Sequence, residues 1–121
     1  MMNIDNNEYV EYRDALEGGS ITTVWSVSPP DEFVDKEFTF LLRKEFFLLF
    51  LQLLMQEGKI KIGKHGKLLE GTIEDQIAVY RLVFPKTEDE WKARGEDLWF
   101  YEEDCPGGIV WVSESGYLDW T

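Results

Sequence analysis

The feature that most constrains this chain is an apolar stretch from Phe38 to Met55, in which thirteen of eighteen residues are apolar. Besides Thr39 near its start, four polar residues interrupt the stretch: Arg43, Lys44, Glu45 and Gln52. Its longest unbroken apolar run has six residues, 46–51. A membrane-spanning helix needs about 20 apolar residues, so this stretch is too short and too charged to span a bilayer. Its apolar side chains surround much of the helical circumference, which predicts a long central helix buried by neighbouring elements.

The predicted central helix covers about residues 32 to 57. Pro29 and Pro30 stop whatever structure precedes them, and Asp31 or Asp35 can begin the helix. Gly58 is predicted to end it, because glycine adopts the left-handed conformation that follows many helices.

The charge of the chain restricts its partners. The formal net charge is −12 over 121 residues, and it is concentrated in residues 1–35 and 87–121, whereas residues 36–86 carry a net +3. We expect one domain, residues 1–121, with at least one strongly negative face. Such a face repels nucleic acid and anionic membranes and attracts basic proteins.

The cysteine content and the first residues indicate a compartment. Cys105 is the single cysteine, so an intrachain disulfide is impossible and a reducing environment is expected. Residues 1–7 lack a basic region followed by an apolar run, which is the pattern of a signal peptide. We therefore predict a cytoplasmic protein.

The N-terminal half is predicted to be mainly helical. A first helix is expected to begin near Asp5, whose side chain can cap the amides around Glu8, and to end at Gly18-Gly19. Residues 20–27 fit either a helix or a strand, because an apolar helical stripe coincides with β-branched content. We favour the helix.

The middle of the chain predicts a hairpin and a further helix. Residues 59–62 alternate between lysine and isoleucine, which indicates a short strand whose lysines protect a sheet edge. Residues 63–67 form a turn or loop, and Leu68-Leu69 can return as the partner strand. Thr72 resembles the start of a capping box. Ile73, Ile77, Tyr80 and Phe84 then share one helical face, until Pro85 ends the helix.

The C-terminal third is predicted to be mostly β structure. Residues 88–94 suit one or two helical turns, with acids first and bases last. Residues 98–101, 109–112 and 117–120 are candidate strands, separated by Pro106-Gly107-Gly108 and Ser115-Gly116 turns. The predicted class is α+β, with a helical N-terminal two-thirds around the long buried helix and a small antiparallel sheet from the C-terminal third.

Residues 87–121 hold ten carboxylates, two basic residues and seven aromatics. Carboxylates interleaved with aromatics suit a surface that docks on a basic protein, although a small sheet with acids in water gives the same alternation. We expect six carboxylates to face a partner: Glu88, Asp89, Glu90, Glu102, Glu103 and Asp104. An exposed aromatic, Trp91 or Tyr101, is expected to anchor the contact. Trp99, Trp111 and Trp120 are assigned to structure.

Motifs that carry catalysis are weak. Glu102, Glu103 and Asp104 lack calcium-loop spacing, and consecutive strand residues would point to opposite faces. Cys105 and His65 could form a nucleophile–base pair, but nothing in the sequence brings them together. The Gly63-x-x-Gly66 loop lacks the Gly-Lys-Ser/Thr of a phosphate-binding loop. We therefore expect no enzyme activity, no metal and no cofactor.

Several segments together resemble a family of small bacterial proteins known only as a domain of unknown function. The segments are residues 57–61, 69–76, 84–86, 98–100, 105–111 and 120–121, and the resemblance covers about residues 30–121. Some proteins of this kind resemble immunity proteins of contact-dependent growth inhibition systems, which are small cytoplasmic proteins that bind a toxin domain delivered by a neighbouring cell. Many such toxins are nucleases with basic clefts.

The resemblance implies a non-enzymatic immunity protein that binds and neutralises a basic toxin domain in a 1:1 complex, with a nuclease as the expected toxin and no direct contact with nucleic acid or membrane. Two alternatives stay open. One is an interaction or adaptor protein that forms a homodimer through its aromatic face. The other is an enzyme that uses carboxylates, which would need a pocket of convergent acids with raised pKa values.

Overall fold

The computed structural model describes residues 5–28 and 39–121. Within these residues the order of elements is α1 (Asn6–Leu16), α2 (Ile21–Ser26), α3 (Phe40–Gln56), β1 (Ile60–Lys64), β2 (Lys67–Leu68), α4 (Ile73–Val83), α5 (Glu88–Ala93), a 3₁₀ helix (Glu96–Tyr101), β3 (Gly108–Val112) and β4 (Leu118–Trp120). Helices lead the chain and a small antiparallel sheet occupies its later part, so the predicted α+β class is confirmed.

The sheet is antiparallel throughout, with the strand order β2-β1-β3-β4. Ile60 pairs with Trp111 and Ile62 with Ile109, and these side chains face the helices. The hairpin predicted around residues 59–69 is confirmed, with His65 (φ 53°) and Gly66 (φ 80°) in the left-handed region that a two-residue hairpin turn requires. The edge position predicted for the lysines of β1 is wrong, because β1 lies between β2 and β3.

Helix α3 is the central helix, and it begins later than predicted. Thr39 occupies the N-cap position in extended conformation, and its side chain accepts a hydrogen bond from the amide of Leu42. The helix therefore starts at Phe40 rather than near residue 32. The predicted roles of Pro29, Pro30, Asp31 and Asp35 lie outside the described residues. Gly58 has a φ of 78° after the last turn, which confirms the predicted helix end.

An aromatic cluster forms the centre of the core. Phe84, at the end of α4, lies 4.7 Å from Trp99, 5.2 Å from Trp25 and 5.4 Å from Trp91 between ring centroids. Phe47 of α3 packs edge-on against Trp25 at 5.3 Å. Each of these rings is buried, so helices and 3₁₀ helix are held together mainly by aromatic packing.

Local signals in the N-terminal half and in α4 are confirmed with one exception. Residues 21–26 form the helix that was favoured over a strand. Thr72 caps α4 by accepting the amide of Asp75, and Ile77, Tyr80 and Phe84 are buried as predicted. Asp5 occupies the N-cap position of α1, but its side chain makes no capping hydrogen bond.

The C-terminal strands are only partly as predicted. Residues 109–112 and 118–120 do form strands, whereas residues 98–101 belong to a 3₁₀ helix. Trp99 and Phe100 are both buried while Leu98 and Tyr101 are exposed. Two adjacent inward side chains do not fit the alternation of a strand, which is why the strand prediction fails here.

Within the described parts of the chain, no helix combines the length and the apolarity that crossing a bilayer requires.

Candidate protein-interaction surface

Helix α5 orients the first group of predicted contact residues. The Thr87 side chain caps it by accepting the amide of Glu90, and three acids in its first turn complement the helix dipole. Trp91 points into the aromatic cluster and is only 4% exposed. The prediction that Trp91 could be an exposed anchor is therefore wrong: the apolar side of this short helix is needed to cover Trp25 and Phe84.

A sharp turn connects α5 to the 3₁₀ helix. Gly95 (φ 90°) and Glu96 (φ 55°) both adopt left-handed backbone conformations, which is uncommon for a non-glycine residue. The turn lets Trp99 and Phe100 enter the core. Leu98 and Tyr101, three residues apart, point outward and are 66% and 72% exposed. Tyr101 is thus available as an anchor, as predicted, and Leu98 is a second apolar contact that we did not predict.

Arg94 neutralises two of the predicted contact carboxylates. One guanidinium nitrogen, Nη2, lies 2.6 Å from Glu102 Oε2 and 2.6 Å from Asp104 Oδ2. Hydrogen bonds to Glu102 and then to Asp104 raise the pKa of Arg94. Both carboxylates are therefore held in fixed positions and have less free charge to offer a partner.

Lys64 holds the backbone of the same segment from the other side. Its Nζ donates to the carbonyl oxygens of Glu102 (2.8 Å), Glu103 (3.0 Å) and Cys105 (2.9 Å). Residues 102–105, which we call the acidic loop, are thus fixed to the hairpin by an ammonium group and to α5 by a guanidinium group. The roles of Lys64 and Arg94 were not predicted, because no local sequence pattern indicates that these residues contact distant parts of the chain.

The predicted carboxylates divide into paired and unpaired groups. Glu88 lies 3.3 Å from the Nζ of Lys92, and Glu90 accepts the amide of Lys86. Among residues 5–28 and 39–121, no basic side chain forms an ion pair with the exposed carboxylates of Asp89, Glu96, Asp97 or Glu103. We call these four carboxylates, with Leu98 and Tyr101, the acidic surface. The structure adds Glu96 and Asp97 to the predicted set.

The groups considered for catalysis lie in different environments. Cys105 is buried, its thiol contacts the Tyr80 hydroxyl at 3.3 Å, and burial raises the pKa of the thiol. It is therefore held in the neutral form that is a poor nucleophile. His65 is exposed in the hairpin turn. In the described ranges, no three His, Cys, Asp or Glu side chains converge as metal ligands would.

The remaining tryptophans assigned to structure have different surroundings. Trp99 is fully buried, and Trp111 is buried with its Nε1 donating to Gly19 O at 2.8 Å, so both assignments are confirmed. Trp120 lies on the opposite face of the sheet and is 42% exposed. A Cβ at Gly63 would lie 2.6 Å from its Cζ3 atom, so the indole covers Gly63.

These features define a small α+β protein with an acidic surface. The chain belongs to the family described as "Protein of unknown function, DUF596", whose model matches residues 55–121. The match confirms the predicted membership of a family of unknown function. It spans the last two residues of α3 and every described element after it.

A solved structure shares this fold. It is an uncharacterized protein conserved in bacteria, from Neisseria meningitidis, with 24% sequence identity and a TM-score of 0.72 over 94% of this chain and 84% of that chain. At this identity the likeness shows the fold alone. No curated protein matches the chain. The resemblance to immunity proteins is not tested by these relatives and stays a prediction.

Proposed function

We propose that this protein is a non-enzymatic, cytoplasmic immunity protein that binds and neutralises a basic toxin domain of a contact-dependent growth inhibition system, with a nuclease as the expected toxin. The observation that carries the proposal is the acidic surface, in which four exposed carboxylates have no ion-pair partner among the described residues and two apolar side chains, Leu98 and Tyr101, are exposed. Charge of one sign attracts the basic partner, and the apolar side chains provide packing once the surfaces meet.

Preorganisation supports a binding role for this part of the chain. Arg94 and Lys64 fix the acidic loop, so a partner does not have to order it. Binding to an ordered loop avoids part of the conformational entropy loss of association. The same contacts assign different weights to the predicted carboxylates: Asp89 and Glu103 are expected to contribute more to attraction than Glu102 and Asp104, which already pair with Arg94.

Under this proposal, the gene immediately upstream is expected to encode a large secreted protein with a toxic C-terminal domain, and the test uses that domain. Co-expression with this protein is expected to restore growth of cells that produce the toxin domain. Purified proteins are expected to associate more slowly as salt increases, because screening weakens long-range attraction. No rescue and no complex would overturn the proposal, and a salt-independent association rate would remove the electrostatic part of it.

A matched pair of substitutions locates the surface. Glu103→Lys reverses a charge on the acidic surface, and Glu114→Lys makes the same change in the exposed β3–β4 turn. Glu103→Lys is expected to slow association about tenfold at low salt, with a smaller effect from Glu114→Lys. Equal effects would mean that only the net charge matters and that the contact lies elsewhere.

A homodimeric interaction protein is the second candidate, and the sheet supports it. The face of the sheet away from the helices carries Lys61, Leu68, Val112, Leu118 and Trp120, as the strand registers show. Among its strand positions it has a lysine and no carboxylate, so two copies of this acidic chain would repel each other least there. Light scattering after size exclusion distinguishes a stable dimer of about twice 14.2 kDa from a monomer that associates only with a toxin.

A further inference from the structure

A surface cavity of about 330 Å³ adjoins the acidic surface at Tyr101. It lies where the start of α2, the hairpin turn, the end of the 3₁₀ helix and the start of β3 meet. Its lining includes the apolar side chains of Ile21, Phe100 and Tyr101. The other lining residues are Gly107, Gly108, Ser20, Lys64, His65 and Thr121. A cavity of this size and lining accommodates a single large apolar side chain of another protein.

The two glycines that line the cavity have different surroundings. A Cβ at Gly107 would lie 2.5 Å from Gly63 O, so this position excludes any larger residue. A Cβ at Gly108 would meet only Ile21 Cγ2, at 3.9 Å. Gly108 lines the cavity, and among the described residues its Cβ would meet no backbone atom within 4 Å, so a side chain introduced there begins without a backbone clash.

The charges around the cavity indicate which residues of a partner would lie beside a side chain that enters it. Tyr101 forms one wall and leads directly into the acidic loop, whose Glu103 is exposed and unpaired by any described residue. Lys64 also lines the cavity, but its ammonium group is bound by three backbone carbonyls of that loop. The part of the cavity lined by Ile21, Phe100 and Tyr101 therefore suits an apolar group, whereas the acidic loop that follows Tyr101 suits cations.

We infer that the cavity receives an aromatic side chain from a basic segment of the partner, with lysine or arginine residues on either side of that side chain. The inference rests on the proposed function, since it specifies the chemistry of the partner segment. The aromatic ring packs against Phe100, Ile21 and Tyr101, and the flanking cations face the acidic loop. This arrangement combines a central apolar anchor with a charged border, as in many protein interfaces.

Short peptides with blocked ends test this inference without the toxin. Lys-Lys-Phe-Lys-Lys is compared with Lys-Lys-Ala-Lys-Lys and Glu-Glu-Phe-Glu-Glu by titration into the full chain, followed by backbone amide chemical shifts. We expect the phenylalanine peptide to bind on the order of tenfold more tightly than the alanine peptide, because burial of a phenylalanine side chain lowers the dissociation constant by a factor of about ten or more. The largest shifts are expected at Phe100, Tyr101 and Gly108, and the acidic peptide is expected not to bind.

Three substitutions separate the cavity from general charge attraction. Gly108→Leu fills the cavity, and Tyr101→Ala removes one wall. Tyr117→Ala is the control, since Tyr117 is as exposed as Tyr101 (71% against 72%) but lies in the turn before β4. Thermal unfolding verifies that each variant is folded. The first two are expected to abolish the advantage of the phenylalanine peptide, and the control is expected to keep it.

Each outcome decides a separate point. Equal binding of the phenylalanine and alanine peptides overturns the anchor but leaves the acidic surface in place. Binding of the acidic peptide as strongly as the basic one overturns the choice of a basic segment. If no peptide binds, the inference is overturned. If the Gly108→Leu variant then neutralises the toxin as well as wild type does, the proposed function does not depend on this cavity.

Discussion

Replacement of Trp91 by alanine tests whether this residue belongs to the core rather than to an interface. Trp91 is 4% exposed, stacks on Phe84 at 5.4 Å with an interplanar angle of 6°, and lies 4.9 Å from Trp25. Removal of such a side chain leaves a cavity that the rigid neighbouring rings cannot refill. Trp→Ala substitutions at sites of this kind reduce the free energy of unfolding by about 3–5 kcal/mol.

That loss is large against the total stability of a domain, which is roughly 5–15 kcal/mol. At roughly 4 °C per kcal/mol for a chain of this size, the melting temperature should fall by about 12–20 °C. Trp91→Phe retains part of the packing and should reduce the free energy of unfolding by roughly 1–2 kcal/mol. The control Tyr101→Ala removes an exposed ring and should change the free energy of unfolding by less than about 0.5 kcal/mol.

Urea unfolding followed by far-ultraviolet circular dichroism measures these differences, since tryptophan fluorescence changes with the substitution itself. The reasoning requires equal m-values for wild type and variants, so that midpoints report stability. A Trp91→Ala variant within 1 kcal/mol of wild type would refute the assignment of Trp91 to the core. So would a Tyr101→Ala variant that is the less stable of the two.

Three further predictions concern buried polar groups and a helix cap. Burial lowers the pKa of Lys44, so Lys44→Met should raise the free energy of unfolding at neutral pH by about 1 kcal/mol. Between that lowered pKa and the ordinary value of 10.5, the unfolded chain binds more protons than the folded chain, so the wild-type free energy of unfolding rises with pH. The stability difference between Lys44→Met and wild type, measured by urea unfolding, should therefore shrink as pH rises through this range. A difference that stays constant with pH would contradict the lowered pKa of Lys44. Tyr80→Phe removes the hydrogen bond from the hydroxyl to Gly107 O (2.8 Å) and should reduce the free energy of unfolding by about 1–3 kcal/mol in the same measurement, and an unchanged midpoint would contradict it. Thr72→Ala removes the side chain that accepts a hydrogen bond from the Asp75 amide and should reduce the free energy of unfolding by about 1 kcal/mol. Amide hydrogen exchange should become faster only in the first turn of α4, and uniformly faster exchange would argue against a local cap.

Much of the fold could be predicted because local chemistry determines it. Thr72, the left-handed Gly58 and the turn residues His65-Gly66 act on their immediate neighbours, so the ends of helices and the hairpin follow from sequence. The apolar richness of residues 40–55 identifies the central helix. The start of this helix was predicted too early, because Asp31 and Asp35, which precede apolar residues, resemble N-cap residues. No comparable sequence pattern predicts that the helix begins after the extended backbone of Thr39.

The errors arise where distant contacts decide. Residues 98–101 have the composition of a strand, but the turn at Gly95 and Glu96 presents Trp99 and Phe100 together to the core, which only a helical backbone allows. Trp91 follows three acids and resembles an exposed anchor until α5 is placed on the aromatic cluster. At the candidate site, Asp89 and Glu103 were predicted from sequence but Glu96 and Asp97 were not, and the pairing of Glu102 and Asp104 depends on Arg94.

The ammonium group of Lys64 has a consequence for motion. It joins three carbonyl oxygens that otherwise would be hydrated, so the hairpin and the acidic loop are expected to move as one body on the nanosecond timescale. Because a lysine side chain makes this connection, neutralising it, for instance by acetylation, would release the loop from the hairpin while leaving the acidic charges of the loop unchanged. Attraction of a partner and rigidity of the surface that meets it are thus controlled by different residues.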